Sequence, residues 1–393
     1  SKPGNDHPES REPRDILDPR ASTKQSFQKM VTAELYALRE LRLHQICKDL
    51  GVADERSMAL QNVDVFSAVI FTTLPGRFAP SSNEVFQVAA AAFLGVPCRH
   101  FGAHRTVRGV QAGRHRPEGI TVDSFGFGLS NWEGVSRTSF HNTLMHAIAR
   151  KMRWAGRFVQ MEPRGFLLGD MAALEAQGNR RGRPGRGEST QIIPDLVDSD
   201  FPGASRSDQR LRDIKTHGGG DNYRHALNVP NSTRSVDKCA DAVNGQYRHK
   251  AKKIDKLCNP GLGATEVGPL QRQLQRHGGA QGLAFGFYGE ASRSIHELAK
   301  ELAEEIAGQP DDDWICSMGE NRASKVRNNI IKDWGLAATF GFAEFKLKAL
   351  YKIRKANLLP RGAAIAMQED MALQEEAENL AIGHGGAGEW RDG

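Results

Sequence analysis

Cysteine is scarce in this 393-residue chain: Cys47, Cys98, Cys239, Cys258 and Cys316 are scattered, with no Cys-x-x-Cys pair. Five isolated thiols exclude a disulfide framework and a zinc ribbon, and they point to an intracellular, reducing compartment. Long hydrophobic runs are missing too. No stretch approaches the length of a bilayer span, so no membrane partner is expected. The first thirty residues lack the apolar segment of a secretory signal. No internal repeat is visible, which removes solenoids and propellers from consideration.

What remains is a moderately polar chain, 39% hydrophobic and 25% charged, with 41 glycines that suggest extended loops. Its length allows two or three domains with a substantial core. The 53 basic and 47 acidic residues leave a net charge of +6 and a pI near 9.1. The arrangement of that excess matters more than its size. Arg180, Arg181 and Arg183 form one cluster, and Arg248, Lys250, Lys252 and Lys253 a second. Clusters of this kind attract phosphate through counterion release, so nucleic acid is the expected partner.

Periodicity divides the chain. Residues 1–24 carry Pro3, Pro8, Pro13 and Pro19 among charges and read as a disordered arm. From 25 to 135 the pattern is mainly helical. Phe27, Met30, Val31, Leu35, Leu38, Leu41 and Ile46 recur at three- and four-residue intervals before Gly51, an apolar stripe that is expected to be core. Ser82 precedes a second helix that should stop near Gly95. Residues 136–308 mix helices with a strand that leads into a turn over Phe158–Gly165, two strands joined by a long turn over Ile192–Lys215, and a further strand over Leu283–Gly289. A helix is expected from Ser235 to about Lys256. Residues 309–356 read as a basic helical region, and 357–393 as a flexible tail.

The chemically suggestive stretch is Pro194-Asp195 followed by Asp213-Ile214-Lys215. Side chains alternate along a strand, so Asp213 and Lys215 project together while Ile214 turns into a core. If a neighbouring strand brings Asp195 alongside, two carboxylates and an ammonium meet. That set suits phosphodiester hydrolysis with Mg²⁺, which binds hard oxygen ligands and keeps several waters.

The pattern resembles the PD-(D/E)xK nucleases. The phrases S-A-V-I-F-T-T-L-P, S-N-E-V-F-Q-V-A, F-L-G-V and E-P-R-G, in that order before P-D, are similar to the restriction-enzyme-like endonuclease region downstream of the polymerase in eukaryotic non-LTR-type retroelements. The resemblance implies an α/β (α+β) fold, a restriction-endonuclease-like mixed sheet flanked by helices, with helical extensions at both ends. It implies a DNA endonuclease using Mg²⁺ or Mn²⁺. Glu162, Asp195 and Asp213 would hold the metal, Lys215 would act at the attacking water, and Gln246 or Tyr247 would come from the following helix. His141 stands where the family has an R-H pair. The family's zinc knuckle is replaced by Asp123-Ser124-Phe125-Gly126-Phe127-Gly128, and Cys98, His100 and His104 supply too few closely spaced ligands, so no structural zinc is expected. The alternative is an inactive nuclease-like module that binds DNA or RNA within a larger ribonucleoprotein assembly.

Overall fold

In the computed structural model, the described residues are 53–72, 82–101, 105–107, 120–132, 134–168, 191–205, 207–219, 223, 234–263, 265–309 and 319–357, with scattered positions between 35 and 51. The chain divides into two compact units, Ser1–Met58 and Ala59–Gly393. In the first, the described residues between 35 and 49 are helical. Leu35, Leu38, Leu41 and Ile46 are between 38% and 62% exposed, which corrects the expectation of a core stripe at these four positions; Phe27, Met30 and Val31 lie outside the described residues. Periodicity identifies an apolar face, not what covers it.

The second unit is a mixed α/β structure. The helix α1 (Ala53–Asn62), whose residues from Ala59 onward belong to this unit, is followed by the short α2 (Val69–Thr72) and by α3 (Asn83–Leu94). α3 begins where the Ser82 hydroxyl accepts the Val85 N–H and stops at Gly95, whose φ of 61° only glycine adopts freely. A two-stranded ladder, β1 (Arg105–Val107) with β2 (Ile120–Val122), precedes the four-residue α4 (Phe127–Ser130). Asp123 organises this segment: its carboxylate accepts the N–H groups of Phe125, Phe127 and Gly128. The amide groups of this turn are therefore satisfied by one carboxylate.

The centre is a four-stranded sheet in the order β3-β6-β7-β8. It follows α5 (Thr138–Trp154) and comprises β3 (Phe158–Met161), β6 (Leu196–Ser199), β7 (Arg210–Thr216) and β8 (Ala280–Phe285). β3, β6 and β7 are antiparallel neighbours, whereas β8 runs parallel to β7. The parallel pairing is made through a crossover, α6 (Ser235–Cys258) and α7 (Pro269–Arg276). A small pair, β4 (Leu167–Leu168) with β5 (Gln191–Ile192), lies beside it in sequence. α8 (Arg293–Ala307) and α9 (Arg322–Asn357) are the last helices among the described residues.

Strand alternation sends residues to two cores. Leu196, Ile214, Leu283 and Phe285 pack with α5, α8 and the first half of α9. Val197, Leu211 and Ala280 pack with Val243, Tyr247, Ala251 and Ile254 of α6 and Leu270 and Leu274 of α7. α9 continues into a third cluster with Val85, Val88, Phe101 and Trp132, so the C-terminal helix is part of the folded body. α6 sits tight on β8 because position 282 is glycine: a Cβ there would lie 2.2 Å from the carbonyl oxygen of Ala240.

Charge is buried at the far end of the sheet. Asp198, fully buried, receives Arg157 at 2.9 Å and Arg212 at 2.5 Å, and Arg157 continues to Glu301 and Glu305 on α8. This network ties β3, β6 and β7 to one helix and fixes their register. A second buried set lies at the turn after β8. Tyr223 donates to Glu290 at 2.5 Å, and the Lys346 ammonium stands 3.5 Å over the Phe287 ring. Burial pushes the Glu290 carboxyl up to about 7 and the Lys346 ammonium down to about 7.

Candidate functional site: a two-carboxylate cluster at the sheet end

Three elements meet where β7 ends. Asp195 directly precedes β6, Asp213 and Lys215 lie on β7, and α5 starts close by with His141 in its first turn. Asp213 and Lys215 do share a face: Lys215 Nζ is 2.5 Å from Asp213 Oδ2, while Ile214 between them is 1% exposed in the opposite core. The antiparallel pairing of β6 with β7 then brings Asp195 across, and its Oδ2 accepts the backbone N–H of Ile214 at 2.5 Å. Oδ2 also lies 3.0 Å from His141 Nε2. Asp195 is thereby locked by the main chain of the very tripeptide that carries the other two groups.

The second oxygen of Asp213 is held from the other face. Tyr247 of α6 donates its hydroxyl to Oδ1 at 2.9 Å. Tyr247 is buried and its neighbour Gln246 is exposed. On a helix of 3.6 residues per turn, adjacent side chains diverge by roughly 100°, so only one of the two can face the sheet. The place offered to Gln246 by the resemblance is taken by Tyr247.

Glu162 is brought near only by its backbone. It follows β3, and its N–H donates to the Asp195 carbonyl at 2.9 Å, but its side chain is exposed. Its φ is +43°, the one positive value among described non-glycine residues. That conformation stores strain in a position already restricted by the following Pro163. Among the described residues no three of His, Cys, Asp and Glu gather as a metal-holding group.

Electrostatics set the cluster apart. Burial raises the pKa of Asp213, the neighbouring Asp195 charge raises it further, and Lys215 and Tyr247 oppose both. For His141, burial works against the charged form, yet hydrogen bonding to Asp195 and its negative charge outweigh it, so the imidazole titrates above its usual range. The Tyr247 phenol is pushed well up by burial and by Asp213. Two hard carboxylates close enough to repel each other, with only one ammonium against Asp213, form a donor pair that a small divalent cation would relieve. Mg²⁺ accepts so few protein ligands because it retains its waters. The donor chemistry therefore fits Mg²⁺ or Mn²⁺ on Asp195 and Asp213, with Glu162 outside the set.

The glycine-rich loop after Lys215 has an internal explanation. Gly218 and Gly219 are pressed against Asn131, Phe127 and Phe287. Gly219 N–H donates to the Ser130 hydroxyl at 3.1 Å, and Arg137 donates to the Thr216 carbonyl at 3.3 Å. The close approach anticipated for this loop is to the α4 segment. Of the basic clusters, Arg248, Lys250, Lys252 and Lys253 are exposed on α6, whereas Arg180, Arg181 and Arg183 lie outside the described residues. No described helix is long and apolar enough to cross a membrane.

His141 was reachable only by resemblance, since one histidine at a helix start carries no periodic signal of its own. The chain matches no protein-family model, no curated protein and no solved structure.

Proposed function

We propose that this chain is a divalent-metal-dependent nuclease that hydrolyses phosphodiester bonds of nucleic acid, with DNA as the expected substrate, and that it is related to PD-(D/E)xK enzymes. The observation that carries the reading is the fixed pairing of Asp195 with the Asp213-Ile214-Lys215 tripeptide through the Ile214 N–H. A mixed sheet flanked by helices agrees with it at the level of architecture.

Asp195 and Asp213 would hold the cation, which when bound supplies Lewis-acid stabilisation of charge at phosphate oxygens. The remaining work falls to the chain itself. The Ile214 N–H and His141 orient Asp195, so its other oxygen is aimed without a rotamer search. Tyr247 orients Asp213 in the same way. Lys215 is about one-third exposed and presents an ammonium at the mouth of the cluster. There it can hydrogen-bond the attacking water or a phosphate oxygen as negative charge develops. Preorganised groups of this kind act mainly in the transition state.

A second reading is favoured by one observation, the exposure of Glu162. With two carboxylates instead of three, the module would bind nucleic acid in a larger ribonucleoprotein assembly without cutting it. Nicking of supercoiled plasmid in Mg²⁺ or Mn²⁺ separates the two. The nuclease reading expects cleavage by wild type and a loss of roughly 10²–10³-fold in Asp213→Asn and Asp195→Asn. Binding without cleavage in either metal would favour the assembly module and remove the enzyme.

A further inference from the structure

The outward face of α6 is strongly basic. The helix carries Lys238, Arg248, Lys250, Lys252, Lys253 and Lys256, all exposed. Its acids are turned away. Asp237 is buried, pairs with Arg234 at 3.0 Å and accepts the Arg293 N–H. Asp255 is 1% exposed and accepts the Leu270 and Gln271 N–H groups that begin α7. Only Asp241 remains outside. No ion pair to a described residue draws Lys238, Arg248, Lys250, Lys252 or Lys256 away from solvent, whereas the two buried acids of the helix are engaged in internal contacts. A favourable helix dipole accounts for Lys256 in the last turn and for little else.

Helical geometry gives the face a shape. At 3.6 residues per turn, Lys238, His249, Lys252, Lys253 and Lys256 fall within an arc of roughly 100°, on the side opposite Tyr247. From Lys238 to Lys256 the stripe runs roughly 27 Å at 1.5 Å per residue. On a convex helix these ammonium groups diverge, so they cannot enclose a single small anion. A linear polyanion, with one charge per roughly 1.7 Å of duplex axis, meets such a stripe along its length. The arc also contains Ala242 and Gly245 and no bulky apolar side chain that would insert into a membrane surface.

We propose that the outward face of α6 binds the phosphate backbone of a nucleic-acid duplex. One helix then grips substrate on one side and positions Asp213 through Tyr247 on the other. This rests on the nuclease reading for its substrate, and it adds a binding surface distinct from the carboxylate cluster.

The test uses the full chain and a fluorescent 30-base-pair duplex, with EDTA present so that cleavage cannot interfere. Anisotropy is followed across about 50–200 mM salt for wild type, for Lys238→Gln/Lys252→Gln/Lys256→Gln, and for a control, Lys300→Gln/Lys332→Gln/Lys348→Gln, with the same charge change on α8 and α9. The α6 variant is expected to lose at least tenfold in affinity. Its slope of log affinity against log salt should fall by nearly three, since each neutralised phosphate contributes about 0.9. The control should stay within about twofold, a tolerance well inside the thousandfold range that salt alone produces. Equal losses in both variants would reduce the effect to net charge and overturn the proposal, as would wild-type affinity in the α6 variant. If wild type nicks plasmid but the α6 variant binds normally, this inference alone fails. If wild type neither binds nor nicks, the nuclease reading fails with it.

Discussion

Gly282→Ala should unseat α6 from the sheet and disable the carboxylate cluster without touching it. A Cβ at position 282 would stand 2.2 Å from the Ala240 carbonyl oxygen, 2.8 Å from its carbon and 2.7 Å from Val243 Cγ2. Carbon and carbonyl oxygen ordinarily approach to about 3.3 Å, so α6 must retreat by about 1 Å. The obstacle is backbone and cannot be relieved by a rotamer change. Overpacking of this kind costs about 1–3 kcal/mol. For a unit larger than about 250 residues, as Ala59–Gly393 is, each kcal/mol lowers Tm by roughly 1–2 °C. Tyr247 rides on the same helix one turn after Val243, and its bond to Asp213 is 2.9 Å long. A shift of about 1 Å takes that contact beyond hydrogen-bonding range. Misplacement on this scale in an active site costs on the order of 10²-fold in rate. Thermal unfolding by circular dichroism and plasmid nicking would be read on the same preparation. An unchanged Tm together with an unchanged nicking rate would refute the close approach of α6 to β8 and the role given to Tyr247.

Tyr247→Phe tests that role with less disturbance. Removing the donor leaves a buried carboxylate oxygen unsatisfied, so thermal melts should show a loss of about 1–3 kcal/mol and nicking should fall about tenfold. Asp198→Asn leaves Arg157 and Arg212 short of their shared partner, and chemical denaturation should report a loss of about 3–5 kcal/mol. Lys346→Met provides a pH signature. The wild-type ammonium titrates near 7 when folded against 10.5 ordinarily. Between those values the unfolded chain holds a proton that the folded chain has released, so wild-type stability rises with pH across that window. The methionine variant lacks this rise. Its Tm advantage should be largest below pH 7 and should shrink toward pH 10.5, and a constant difference would contradict the buried position of Lys346 over Phe287.

Local chemistry made much of the fold readable. Ser82 and Gly95 announce both ends of α3, and alternation around Ile214 separates the Asp213/Lys215 face from the core face. The proline at 194, next to an acid and ahead of Leu196 and Val197, marked the entry to the strand that Asp195 precedes. Other features depend on contacts between distant segments, which periodicity does not encode. The apolar stripe Val236, Ala240, Val243, Tyr247, Ala251 and Ile254 already sets Tyr247 on the core side of α6 and Gln246 off it, so Gln246 rested on the resemblance alone. The approach of Tyr247 to Asp213, by contrast, depends on the rotation of α6 about its axis. That rotation is fixed by Gly282 and Ala240 on different elements. The exposed carboxylate of Glu162 was unreadable, since its direction follows from a positive φ ahead of Pro163. The stripe from Leu35 to Ile46 carries the periodicity of a core helix and is exposed. α7, short and polar, escaped notice because its two core residues, Leu270 and Leu274, make too brief a pattern.

The most direct test of the central claim is Mn²⁺ binding by the 393-residue chain, followed by electron paramagnetic resonance of the free ion. If Asp195 and Asp213 share a cation, wild type should take up one Mn²⁺ that Mg²⁺ displaces, while Asp195→Asn and Asp213→Asn should each lose that site and Glu162→Gln should keep it. Equal Mn²⁺ uptake by wild type and the Asp195→Asn/Asp213→Asn double variant would contradict the account.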